Sequence, residues 1–180
     1  MSDPTTLPRT LSFVCKALGD DVDDRRAPCR QAVLATVGDG GAARMVILRA
    51  FTPWTVEVHS DLAAAKVAQL RAEPRATLLF WLPEAQMQIR LRARFTVLAG
   101  AEVADRWTAI PDGPRRAYGG TPPPGTPLLT PDDHTYTPNR DRFAVLSGII
   151  DSIETLHLGD IHRRAIFRRD DGFTGGWIAP

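Results

Sequence analysis

The period of hydrophobic and polar positions changes several times along the 180-residue chain, and each change marks an element. Leu11, Val14, Cys15 and Leu18 recur at helical spacing, which predicts a helix over 10–18 ended at Gly19, with the acidic run 20–24 as a solvated loop. Gln31 to Val37 is rich in β-formers. The Gly38-Asp39-Gly40-Gly41 cluster then turns the chain into a strand over 43–51. A Pro53-Trp54 turn leads to a third strand over 55–60. Residues 62–73 read as a helix that buries Leu62, Val67 and Leu70, capped by Ser60 or Asp61 and stopped at Pro74.

Ala76 to Leu82 is a continuous apolar strand. After the Pro83-Glu84-Ala85 turn, Met87, Ile89 and Leu91 alternate with Gln88, Arg90, Arg92 and Arg94, the period-two signature of a strand with one buried face. A short helix follows over 101–109. The segment 111–142 holds most of the prolines and no clear period, as a functional or interface loop does in a compact domain. The β-branched run 143–158 is expected to break at Ser147-Gly148. A last strand over 164–168 turns through Asp170-Asp171-Gly172 into Trp177-Ile178-Ala179-Pro180.

Sequential strands joined by hairpins, with short helices between, predict a mainly β protein. The strand order points to an antiparallel barrel of six or seven strands with short flanking α-helices. A single domain over 1–180 is expected, with 1–30 as an N-terminal helix and acidic loop.

Composition narrows the function. A net charge of +1 supplies no global field toward nucleic acid or membrane, and 43% hydrophobic with 24% charged residues is ordinary globular usage. Lys16 and Lys66 are the only lysines among 22 basic residues, so an isolated Arg is the default cation here and says little by itself. Cys15 and Cys29 have neither zinc nor disulfide-framework spacing, His134, His157 and His162 lack ligand spacing, and no metal is expected. With no apolar run of membrane-spanning length, a cytoplasmic protein is expected.

The chemistry concentrates in 44–66. Arg44 opens a strand, Arg49 stands near its end, and His59 and Ser60 close the next strand. Lys66 falls in the first two turns of the helix, whose start directs free N–H groups and a positive dipole end outward. Arg44 and Lys66 together make this junction a seat for a phosphate. Arg44 and Arg49 lie an odd number of residues apart and face opposite sides of a regular strand. His59, Ser60 and Asp61 are consecutive strand residues that alternate faces, so they cannot form a hydrolytic triad.

In this order the pieces resemble the pyridoxamine 5′-phosphate oxidase-like family of FMN-binding split-barrel proteins, over about 31–180. The family's flavin-side strand is matched by Arg44-Met45-Val46-Ile47-Leu48-Arg49, its strand end by His59-Ser60, and its phosphate-binding helix lysine by Lys66. Its Gln-bearing strand is matched by Gln88 with Arg90, and its C-terminal pattern by Arg164, Trp177 and Ile178-Ala179-Pro180. Ala63, Ala64 and Ala65 stand where the family often carries Ser and Arg, and Arg115, Arg116 and Tyr118 are spaced differently from the family's vitamin B6 phosphate group. The resemblance implies FMN as cofactor and a homodimer with the cofactor at the subunit interface. It also implies a six- to seven-stranded split β-barrel of Greek-key type and hydride exchange with a small, unidentified substrate. No general acid or base stands out among the side chains, and this chemistry need not have one there. A non-catalytic flavin-binding or storage module, and a split barrel using haem or deazaflavin, are the alternatives.

Overall fold

The computed structural model describes residues 4–20, 22, 24, 26–52 and 54–180. Pro53 of the expected Pro-Trp turn, and Asp21 and Asp23 of the acidic loop, lie outside the described residues.

Helix α1 (Leu7–Asp20) runs longer than its apolar spacing suggests and buries Thr10, Val14 and Leu18, four residues apart. Strands β1 (Gln31–Gly38) and β2 (Gly40–Thr52) form a hairpin in which Gly38 faces Gly40 across Asp39. Gly40 sits at φ +122°, a conformation open to glycine, which is why the chain turns there. β3 (Thr55–Asp61) leads into α2 (Ala65–Ala72), and β4 (Arg75–Leu82) pairs with β5 (Met87–Ala99). Short helices α3 (Ala104–Ala109) and α4 (Asp112–Arg115) follow. A small hairpin of β6 (Gly120–Thr121) and β7 (Thr135–Tyr136) then precedes β8 (Phe143–His157), β9 (Arg163–Arg168) and β10 (Gly176–Ile178).

The main sheet has the order β10-β9-β8-β3-β2-β1-β4-β5 and closes through β8–β5, giving a six-strand antiparallel barrel with β9 and β10 added outside it. β8 sets this architecture. Its whole length pairs with β5, its first half (Phe143–Ile149) pairs with β3, and its second half (Ser152–His157) pairs with β9. The barrel therefore splits where β3 and β9 part from the same strand. The split-barrel expectation is met, with the six-strand count for the closed part.

Two expectations are corrected. β8 does not break at Ser147-Gly148. Gly148 is buried between its two neighbours, and a Cβ there would sit 2.7 Å from Phe95 Cε1 and 3.0 Å from Val56 Cγ2. Glycine serves close approach between strands rather than a turn. The segment 111–142 is also more organised than its lack of period suggests. Beyond α4 and the β6–β7 hairpin, it supplies Tyr118 to a second small core with Val103, Ile110, Phe143 and Val145.

The main core fills the barrel with alternate residues: Leu34 from β1, Val46 and Leu48 from β2, Ile89 and Leu91 from β5, Ile150 and Ile153 from β8. β2 and β8 each carry an extra residue, Arg49 opposite the Val58–Glu57 step of β3 and Asp151 opposite the Arg92–Ala93 step of β5. Such bulges bend a strand and re-aim the adjoining side chains.

Candidate cofactor site

Arg44 has the parity of buried Val46 and Leu48, so it points to the barrel side of β2 at the end covered by α2. Its guanidinium donates to Leu34 O at 3.1 Å, Thr36 Oγ1 at 2.5 Å and Gln69 Oε1 at 2.8 Å. Thr36 in turn donates to Gln69 at 2.7 Å. Every acceptor is neutral, and the positive charge has no carboxylate against it among the described residues. Burial holds Arg44 below the ordinary Arg range.

Lys66 is the second residue of α2, and its Nζ donates to Ser60 Oγ at 3.3 Å. Ser60 is 3% exposed and donates onward to Asp61 O at 3.1 Å. Burial, and after it the charge of Arg44, lowers the Lys66 pKa, while Asp61 acts more weakly in the other direction. Two half-buried cations thus lean on each other at a helix start whose first-turn N–H groups lack helical acceptors. An anion of two negative charges relieves both.

The expected cap is corrected. The helix starts at Ala65 with Ala64 as its N-cap and no side-chain cap. Ser60 is committed to Lys66, and the Asp61 carboxylate serves a different set of donors. Asp61 Oδ1 accepts from Ala63 N at 2.8 Å and from Arg142 Nε at 3.0 Å and Nη2 at 2.7 Å. Asp61 Oδ2 accepts from Gly119 N at 2.8 Å. Asp61 therefore clasps both ends of the 119–142 excursion to the end of β3.

Arg49 and His59 form a second polar group on the outer face, on the opposite side of β2 from Arg44 as the strand parity requires. Arg49 Nε and His59 Nδ1 are both buried without a hydrogen-bond partner. His59 is pushed down to about 4, first by burial and then by the positive charges of Arg49 and Arg106. It packs edge-on to Phe143 at 4.9 Å. Tyr118, 5% exposed, is raised by burial, against which the Arg49 charge and a hydrogen bond with Arg49 act. His59, Ser60 and Asp61 make no triad: Ser60 bonds the Asp61 backbone, and His59 Nδ1 faces neither.

Of the remaining flavin-side positions, Val46 and Leu48 are 8% and 0% exposed in the core, which leaves only their backbone for a ligand. Met45 is 60% exposed and Ile47 half-buried on the outer face. Gln88 and Arg90 lie on the outer face of β5, and Arg164 lies on the outer face of β9. Register places Trp81, Gln88, Leu156, Arg164 and Ile178 directly opposite one another across five strands. Arg90 and Arg164 share Glu154: Arg90 Nη1 is 3.3 Å and Arg164 Nη2 is 2.8 Å from its Oε1. Among the described residues no hydrogen bond or ion pair joins this row to the Arg44–Lys66 corner.

Sequence reasoning missed Thr36 and Gln69 as partners of Arg44, Glu154 between the two arginines, and the Asp61–Arg142 clasp. Three of these contacts join residues 25 to 81 positions apart, and the other two, Arg44–Thr36 and Arg164–Glu154, cross neighbouring strands whose register the sequence does not state. Only Thr36 carried a local signal, as a polar residue on the buried face of β1.

The chain is a split-barrel domain with two half-buried cations, Arg44 and Lys66, at its α2 end. Residues 14–99 match the family model described as pyridoxamine 5′-phosphate oxidase, FMN-binding domain. A pyridoxine/pyridoxamine 5′-phosphate oxidase from Microcystis aeruginosa is 42% identical over 60 residues, 32% of this chain and 28% of that protein. The matched region spans 35% or less of the length of the curated relatives. Two solved structures share the whole fold. A pyridoxamine 5′-phosphate oxidase-related, FMN-binding protein from Nostoc punctiforme superposes with a TM-score of 0.75 at 23% identity, covering 94% of this chain and 96% of that one. PhzG from Burkholderia lata, solved with tetrahydrophenazine-1-carboxylic acid, gives 0.74 at 19% identity, covering 99% and 95%.

Over residues 14–99 the chain is similar to the FMN-binding domain of pyridoxamine 5′-phosphate oxidases, and over nearly its whole length it shares the split-barrel fold of the two solved structures. No helix among the described residues is long and apolar enough to cross a membrane, and no group of His, Cys, Asp or Glu there is arranged to hold a metal ion.

Proposed function

We propose that the protein is an FMN-dependent oxidoreductase that exchanges a hydride with a small substrate at a site completed by a second copy of the chain. The observation that carries this reading is the Arg44–Lys66 corner, where two cations meet at α2 with no carboxylate against Arg44 among the described residues and only a weaker opposing effect of Asp61 on Lys66. The residues fit the cofactor. Arg44, Lys66 and Ser60 suit a phosphate ester, and the orphaned nitrogens of Arg49 and His59 are donors or acceptors for the polar edge of a planar ring.

FMN, when bound, supplies the hydride-accepting and hydride-donating chemistry. The chain's own residues bind and orient. Arg44 is pre-set by Thr36 and Gln69, so little side-chain freedom remains to be lost on binding. His59 stays neutral across physiological pH and presents one protonated and one free ring nitrogen. Arg49 adds a positive charge beside it, suited to an anionic substrate or to a ring that gains negative charge on reduction.

The row Trp81–Gln88–Leu156–Arg164–Ile178 supports the homodimer. Its end residues Trp81 and Ile178 are 48% and 38% exposed, and Met45, on the outer face of β2, is 60% exposed. Apolar side chains around a polar centre are the make-up of an interface. A partner seated there brings Gln88 and Arg164 to the corner that one copy leaves unconnected to them.

The test is reconstitution. Purified protein incubated with FMN and gel-filtered should retain the yellow chromophore, and a chemical or nicotinamide reductant should bleach it, with colour returning in air. Retention of FMN without turnover on any reductant would reduce the protein to a binding module; failure to retain FMN would overturn the reading.

A further inference from the structure

An open groove of about 860 Å³ has Ala35, Thr36 and Val37 of β1 along one side, Thr36 being the residue that also bonds Arg44. Its floor is a ladder. Ala35 on β1 faces Thr77 on β4, Thr77 faces Arg92 on β5, Arg92 faces Ser152 on β8, and Ser152 faces Arg168 on β9. Side chains directly opposite one another share a face, so Arg92 and Arg168 flank the Ser152 hydroxyl from either side. Two strand spacings put their backbones about 10 Å apart. That distance is within joint reach of two arginine side chains.

Neither guanidinium has a hydrogen-bond or ion-pair partner among the described residues. The contrast is with Arg75, Arg90, Arg106, Arg115, Arg142 and Arg164, each paired with a carboxylate. Two unpaired cations converging on one hydroxyl are mutually repulsive until something negative sits between them. Opposite Arg92 and Ala93 the unpaired residue Asp151 bulges from β8 at this point. Asp151 and Asp170 border the groove. They limit the positive field to a point rather than a stripe, which favours a compact anion over a nucleic-acid backbone.

We propose that this groove binds a small phosphate ester or diphosphate, held bidentately by Arg92 and Arg168 with Ser152 donating between them. Arginine forks match phosphate oxygens in geometry as well as charge, and the volume accommodates the organic part of such a ligand. The groove shares Thr36 with the flavin corner, but its two cations, Arg92 and Arg168, are not among that corner's residues. Arg92 lies four residues beyond Gln88 along β5, about 13 Å, on the side away from the apolar row. The inference does not rest on the flavin reading.

Calorimetric titration of pyrophosphate into the full chain saturated with FMN, at low ionic strength, tests it. Binding should weaken at least tenfold in Arg92→Ala/Arg168→Ala and in Arg92→Gln/Arg168→Gln. It should stay within twofold in Arg9→Ala/Arg140→Ala, which removes the same charge from exposed arginines elsewhere, and in Lys66→Gln, which alters the flavin corner. Circular dichroism melts and sedimentation of each variant should match the parent. Loss in Lys66→Gln but not in the groove variants would assign the heat to the flavin corner and overturn the proposal. Equal loss in the Arg9/Arg140 variant, a changed oligomeric state in the groove variants, or no binding to the parent protein would overturn it as well.

Discussion

Arg49 on β2 lies close enough to His59 on β3 for its charge to act on the imidazole, and each buries a nitrogen, Nε and Nδ1, that no other described group satisfies. Buried polar atoms without partners are rare in folded proteins and each costs stability. Under the function proposed above, these two nitrogens are candidates for contact with the ligand.

The histidine makes stability depend on pH. Its folded value of about 4 lies below the 6.5 of the free side chain, so between these values the unfolded chain binds the extra proton and folding weakens as pH falls. The contribution is fully present above pH 6.5 and is lost as pH drops through about 4. Its ceiling is about 3 kcal/mol, reduced by the partial exposure of the ring. Urea melts at pH 7 and pH 4.5 should show a smaller drop for His59→Gln than for the parent chain. An identical drop in both would show that His59 is protonated without penalty.

The clasp at Asp61 predicts a local loss. Asp61→Ala strands the Arg142 guanidinium and the Gly119 N–H, and removing one partner of a buried ion pair costs about 3 kcal/mol. The segment 119–139 should then become sensitive to limited proteolysis before the barrel does. A variant with parental stability and an uncut segment would show that the 119–142 excursion is held by the Tyr118–Phe143 core alone.

Gly148→Ala places a methyl 2.7 Å from the Phe95 ring and should destabilise by about 1–3 kcal/mol. Phe95→Leu in the same chain should recover part of that loss, because the two residues share the space. Additive losses in the double variant would mean that the strain lies elsewhere, against Val56.

Assembly follows from the outer row. The 19.7 kDa chain should sediment at twice its mass, and Trp81→Glu should shift it toward the monomer while leaving the circular dichroism spectrum unchanged. A parent protein that sediments as a monomer at micromolar concentration would remove the second copy from the site.

Most of the barrel was legible in the chain because alternation is a local property. Met87, Ile89 and Leu91 against Gln88, Arg90 and Arg92 fixed both the strand and its buried face. Gly148 misled for a physical reason: glycine marks a turn and a close strand approach with the same letter. The corner was legible in part. Arg44, Ser60 and Lys66 fall on a strand, a strand end and a helix start in one short stretch, and the fold brings them together. The neutral cradle of Thr36 and Gln69 and the shared carboxylate Glu154 depend on register and on contacts from distant elements. No period or spacing carries that information.

The central claim is that Arg44 and Lys66 hold a phosphate, and the ratio of FMN to riboflavin affinity reads it directly, since the two flavins differ in that group alone. The parent chain should prefer FMN strongly. Lys66→Gln and Arg44→Gln should each reduce that preference about tenfold or more, the worth of a charge-assisted hydrogen bond, with riboflavin affinity little changed. Equal affinity of the parent chain for both flavins, or a preference that survives both substitutions, would contradict it.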